Sequence, residues 1–379
     1  MLLHRSRGSS THQPLRTQLY AWRVLISVAL AIVGVMSGTL SAAAYVQTVT
    51  PWYTHSWYIG TTDVGHFQAL GASDGDWDSA HCYGPGDNHS LNKIAVLDFG
   101  RPINVTGSAS PYYGYGTVLP GGTAPSVRYD TTVYLTEQYA LYYFYHSQAS
   151  CQQLLIAMGQ NNSYMCQRGA YPCDNYTAGQ TWGDAVNQVN IWLVNNGLSS
   201  RISALAANDM ETFGDVWACA GPTRNWIDGY VANNYGNPVF NYGDAITSAG
   251  CWSIQDVYYV SAGKVYTAPL AEQYTAGGNC YWTTGTGQVC IADDGLEDQG
   301  RDYSRGFGVE GSNAPMTFAG EMTECKDADP IPYGPCSVIN HHELGPGQAW
   351  QELWDLQQTL YASSQTTMDY STNINFQPL

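Results

Sequence analysis

Positive charge is scarce in this sequence. Its 379 residues hold 14 lysines and arginines against 31 aspartates and glutamates, a net charge of −17 at pH 7. With so little to neutralise phosphates, nucleic acid and anionic membrane surfaces are excluded as principal partners. Strand-to-helix turns carry no Gly-x-Ser-x-Gly elbow, no P-loop and no dinucleotide glycine fingerprint, which removes the usual supports of serine-nucleophile and nucleotide chemistry. Cysteines and histidines nowhere take zinc-site spacing, and His341-His342-Glu343, the one histidine cluster, lacks i,i+4 pairing and reads as a surface loop. Asp293, Asp294 and Glu297 in the Gly- and Asp-rich run 276–313 lack EF-hand spacing. No metal and no cofactor is therefore expected. Beyond the N-terminal segment, no apolar stretch approaches membrane length.

What is present points outward from the cell. Residues 1–23 carry His4, Arg5, Arg7, Arg16 and Arg23 without an acid, an apolar core follows from Val24 to Met36, and small residues end at Ala42-Ala43-Ala44. This is the layout of a secretory signal peptide cleaved after Ala44; the alternative is an uncleaved anchor. The expected product is a secreted or surface-anchored body, residues 45–379, with no stable membrane insertion after cleavage. Ten cysteines fit an oxidising compartment. Cys166 to Cys173, Cys280 to Cys290 and Cys325 to Cys336 have the spacing of local staples, and Cys219 with Cys251 would clip a longer excursion; the pairing stays open. Asn88, Asn104, Asn161 and Asn175 stand in glycosylation sequons, which matter only where the host glycosylates exported proteins and otherwise read as ordinary surface asparagines.

Eight short strands follow one another: Trp57–Asp63, Lys93–Gly100, Gln153–Gly159, Ile202–Glu211, Pro238–Asp244, Gln255–Ser261, Val265–Tyr274 and Pro315–Glu321. Several are continuously apolar, as strands covered on both faces are. Helices are expected over Thr132–Ser147, Trp182–Asn196, Thr223–Asn234 and Gln348–Tyr361, with long loops over 71–88, 101–130 and 160–181. The pattern is that of one irregular (β/α)8 barrel with long disulfide-bearing loops. Acids recur at strand ends: Asp63, Asp98, Asp209 with Glu211, Asp244, Glu272 and Glu321. In such barrels chemistry sits on that rim. Trp52, Tyr53, Trp57 and Tyr58 read as core or docking residues, whereas the Tyr112-Tyr113-Gly114-Tyr115 loop suits stacking on a ligand.

The strand Ile202–Glu211 ends in Asp209-Met210-Glu211. Two residues apart on extended chain, the two carboxylates share a face and repel, so one holds its proton to a higher pH. That is the arrangement glycoside hydrolysis needs; the alternative is a strand emerging into solvent with wet acids. Together with Trp226-Ile227-Asp228-Gly229-Tyr230, Phe240-Asn241-Tyr242-Gly243-Asp244 and Asp256-Val257-Tyr258-Tyr259-Val260-Ser261, the stretch 200–325 resembles poorly characterised secreted bacterial barrels near the family 25 lysozymes and DUF1906 domains. The resemblance implies a general acid at Glu211 beside Asp209 at the end of a fourth strand. Asp63 and Glu272 match the family's other acids loosely, and no lysozyme-type start motif or cell-wall repeat accompanies them. The implied activity is cleavage of a cell-wall or extracellular polysaccharide, with Asp63, Asp98, Tyr242 and Glu272 contacting substrate. A non-catalytic barrel that binds glycans or proteins at the cell surface is the competing expectation.

Overall fold

The computed structural model describes residues 54–81, 92–105, 114–120, 126–148, 153–163, 165, 174–211, 217–243, 251–272, 280–283, 287–290, 318–323 and 368–375, with most of 347–355. In chain order the elements begin β1 (Thr54–Tyr58), α1 (Val64–Ala80), β2 (Lys93–Asp98), β3 (Arg101–Asn104), β4 (Tyr115–Val118) and β5 (Ser126–Arg128). Then come α2 (Tyr129–His146), β6 (Leu154–Asn161), α3 (Asn175–Asn195), β7 (Ile202–Asp209), α4 (Ala220–Ala232) and β8 (Val239–Asn241). The chain closes with α5 (Ile254–Ser261), β9 (Thr267–Glu272), β10 (Cys280–Thr283), β11 (Gly287–Cys290), β12 (Gly320–Thr323) and β13 (Tyr370–Asn375).

Strands β1, β2, β6, β7, β8, β9, β12 and β13 form a closed barrel in that order, every pairing parallel, with β13 returning to β1. The fold is a (β/α)8 barrel, and β7 is its fourth strand. Apolar residues on both faces of the strands have two destinations. Ile94, Val96, Ala157, Leu205, Ala207, Phe240, Leu270, Met322 and Ile374 fill the barrel. Their neighbours Ala95, Leu97, Ile156, Met158, Ala204 and Ala206 pack outward with Phe67, Tyr139, Trp182 and Trp226 of the helices. This double burial is what produced continuous apolar runs.

Four sequence expectations change. The Gly/Asp-rich stretch after β1 is mostly helix α1, with Asp63 as its N-cap, accepting from the Gly65 amide at 2.8 Å. Its glycines are spacers: a Cβ at Gly71 would lie 2.2 Å from the Tyr139 carbonyl oxygen, and one at Gly75 2.8 Å from that of Tyr143. The pentapeptide Gly71-Ala72-Ser73-Asp74-Gly75 spells Gly-x-Ser-x-Gly, but in mid-helix it is a packing surface and not a nucleophile elbow. Residues 101–130 contain the antiparallel sheet β3-β4-β5. Gln255–Ser261, read as a strand, belongs to helix α5, started by a capping box between Ser253 and Asp256. The eighth barrel strand is β13, so the expected strands from Val265 and Pro315 become the sixth and seventh.

Helix α1 also brings buried acids to β1 and β2. Asp74 accepts from His55 Nδ1 at 3.1 Å, Trp57 Nε1 at 3.1 Å and the Tyr139 hydroxyl at 2.7 Å. One turn on, Asp78 meets Lys93 Nζ at 2.9 Å and the Tyr143 hydroxyl at 2.5 Å. Each carboxylate is held by several donors, the condition under which burial of such groups is tolerated.

Cys219 and Cys251 form a disulfide, joining the start of α4 to the approach of α5. Cys280 and Cys290 stand opposite each other in the β10–β11 hairpin. The other six cysteines, the N-terminal segment, Trp52, Tyr53, Tyr112, Tyr113, Asp244, Asp293, Asp294, Glu297 and the cluster His341-His342-Glu343 lie outside the described residues. Among the described residues, no helix is long and apolar enough to cross a membrane.

Candidate active site

Alternation along the strands decides which rim residues point into the barrel. Leu205 and Ala207 face inward, so Asp209 does; Ile94 and Val96 select Asp98, Leu270 selects Glu272, and Phe240 selects Tyr242. On β12 the inward residue is Met322, which turns Glu321 toward the helix layer. There its buried carboxyl accepts from Ser371 Oγ at 2.5 Å, and burial holds its pKa well above the usual range.

The inward set meets at the C-terminal mouth. Carboxylate oxygens of Asp209, Glu211 and Glu272 all lie within 4.8 Å of one another, and all three residues are buried. The Tyr58 hydroxyl donates to Asp209 Oδ2 at 3.2 Å. Burial raises the Tyr58 pKa well above that of a free phenol, and Asp209, Glu272, Asp98 and Glu211 raise it further. With its proton held this firmly, the phenol stays a hydrogen-bond donor.

Asp98 occupies the next strand end. Burial lifts its pKa from 3.8 to about 6, against the stabilising contacts of the Gly100 amide, the Tyr242 hydroxyl and the Asn161 side chain. Gly100 adopts φ 79°, a left-handed turn that aims its N–H back at Asp98 Oδ1, 2.5 Å away. Tyr242 is fully buried, and its hydroxyl is held protonated by burial and by Asp98 and Asp209. It fits because Gly159 faces it: a Cβ there would lie 2.7 Å from the Tyr242 oxygen.

Of six residues expected at the site, five converge: Asp98, Asp209, Glu211, Tyr242 and Glu272. Asp63 does not join them. It lies exposed beyond the end of β1, and its carboxylate caps α1. Tyr58, expected in the core or at a docking surface, packs against the barrel core and takes the β1 position in place of Asp63. Its signal was the alternation Thr54-Ser56-Tyr58 in a strand that ends five residues earlier than expected. Asn161 is buried and faces Asp98, so it is not the surface asparagine its sequon suggested.

Two kinds of chemistry suit this mouth. Close-set carboxyl groups in differing environments can divide into a proton donor and an anion. Three carboxylates at this spacing also form an oxygen donor set suited to a hard divalent cation. No protein-family model matches the chain, and comparison with curated proteins finds no match.

Proposed function

We propose that the protein is an exported glycosidase that cleaves a cell-wall or extracellular polysaccharide, related to the family 25 lysozymes. The observation that carries this reading is the convergence of Asp209, Glu211 and Glu272 at the barrel mouth within 4.8 Å. Glu211 donates its proton to the glycosidic oxygen as the bond to the anomeric carbon breaks and, as the resulting carboxylate, regains a proton from the water that then adds to that carbon. Asp209, anchored by the Tyr58 hydroxyl, faces the positive charge that develops on the sugar ring. Glu272, Asp98 and Tyr242 line the cleft. The disulfide and the N-terminal basic and apolar segment support export.

The test is reducing-end release from purified peptidoglycan and from extracellular polysaccharides by wild type and Glu211→Gln, with and without a chelator. Glu211→Gln keeps the shape and removes the proton, so release falls by about 100-fold or more. Equal rates for the two proteins would refute the assignment, and loss of wild-type activity on chelation would favour a cation held by the same carboxylates. Glycan binding without any turnover would support the binding-module alternative.

A further inference from the structure

Glu211 lies beyond the end of its strand, so the β7 ladder does not hold it. The pairing of β6 with β7 ends at Asn161 opposite Asp209. β8 is shorter still, and its register with β7 covers only Ala206 to Asn208. Strand β7 therefore outruns β8 at its lower end and the β6 pairing at its upper end, leaving main-chain groups without a ladder partner.

Two asparagine side chains fill these gaps in the same way. At the lower end, Asn190 of α3 donates from Nδ2 to the Ala204 carbonyl at 2.8 Å and accepts from the Ala204 amide at 2.8 Å. At the upper end, Asn162 donates from Nδ2 to the Glu211 carbonyl at 2.8 Å, and its Oδ1 accepts from the Glu211 amide at 3.1 Å. A carboxamide, with donor and acceptor side by side, copies a peptide group, so each pair extends the sheet by one artificial rung.

Asn162 is itself fully fixed. It is completely buried, its amide donates to the Asp209 carbonyl at 3.1 Å, and its carbonyl accepts from Met165 at 3.2 Å and Ala218 at 3.0 Å. Nδ2 also reaches Thr223 Oγ1 at 3.4 Å. On the opposite side Gly243 presses against Met210, where a Cβ would come within 2.3 Å of the Met210 nitrogen. The Met210-Glu211 extension is thus gripped from both flanks.

We infer that Asn162 is the positioning residue of the site: its carboxamide, by pairing with the Glu211 main chain, places the Glu211 carboxyl beside Asp209 and Glu272. The inference rests on the reading of Glu211 as the acid only for its catalytic consequence. Its geometric content stands apart from that reading.

Asn162→Ala removes both hydrogen bonds. Asn162→Asp keeps the volume and the acceptor but sets an oxygen against the Glu211 carbonyl. Asn190→Ala breaks the equivalent rung away from the mouth. Crystal structures of the full chain should show Glu211 moved out of its cluster, beyond 4.8 Å from Asp209 and Glu272, in both Asn162 variants and in place in Asn190→Ala. On purified peptidoglycan, kcat should fall about 100-fold for Asn162→Asp with KM little changed, as misplacement of a reacting group does. In a Glu211→Gln background the same substitution should cost nothing further, whereas a merely structural role would lower both backgrounds alike. A Glu211 carboxyl that keeps its place in the Asn162 variants overturns the inference, whatever the activity. An active Glu211→Gln protein would overturn the acid assignment and leave the placement to be judged by the structures.

Discussion

Asp98 offers a prediction in which function and stability pull in opposite directions. Its carboxyl is fully buried, with a pKa lifted from 3.8 to about 6 by loss of hydration. The folded state therefore binds this proton more tightly than the unfolded chain does. The resulting contribution is fully present below about pH 4 and is lost as pH rises through about 6. At about 1.4 kcal/mol per unit, the two-unit difference amounts to about 3 kcal/mol at neutral pH. The substitution Asp98→Asn removes the charge while keeping an oxygen for the Gly100 amide. Urea unfolding of both proteins between pH 4 and pH 8 should give curves that start close together and separate as pH rises, the variant ending more stable by up to about 3 kcal/mol. Activity on the polysaccharide should fall in the same variant, the signature of a group kept for function at a cost in stability. A pH-independent difference, or a variant less stable at pH 8 than wild type, would refute the argument.

Two further changes separate the inward and outward sides of the strand ends. Tyr58→Phe deletes the hydroxyl that donates to Asp209. A hydrogen bond to a charged group contributes about 1.5–3 kcal/mol, so kcat in steady-state assays should drop by about 10- to 100-fold; unchanged kinetics would show that Asp209 does not depend on it. Glu321→Gln replaces an acid whose pKa burial holds well above the usual carboxylate range, which favours its neutral form. Since the amide can still accept from Ser371, the melting temperature at pH 7 and the activity should both stay near wild type, and a large loss of activity would place Glu321 in the site after all.

The barrel was legible in the sequence where burial on both faces leaves apolar runs, as in Lys93–Asp98 and Ile202–Asp209. It was misread where another force sets the pattern. The glycines of α1 look like loop residues because helix α2 leaves no room for a Cβ at Gly71. The α5 sequence, rich in valine and tyrosine, has strand propensity that its capping box and packing override. Strand β13 carries Ser371, Thr372 and Asn373, polar residues that conceal a barrel strand. The acids Asp98, Asp209, Glu211 and Glu272 were recognisable as strand ends, since a buried strand rarely finishes in a carboxylate without cause. Asn162 was not recognisable, because its role exists only when β6 and β7 lie side by side.

Helices α3 and α4 meet backbone to backbone. A Cβ at Gly179 would fall 2.0 Å from the Trp226 carbonyl oxygen, and one at Gly229 1.9 Å from that of Tyr176. These two helices lead into and out of β7, so the strand bearing Asp209 is mounted between members of a pair that has no slack. Side chains at a helix contact can shift rotamers to absorb a displacement, but main chains already touching cannot. Compliance at the mouth therefore has to come from elements other than this mount. Asp209 is thus held stiffly from below, and a ligand at the mouth must adapt to its position instead of drawing it aside.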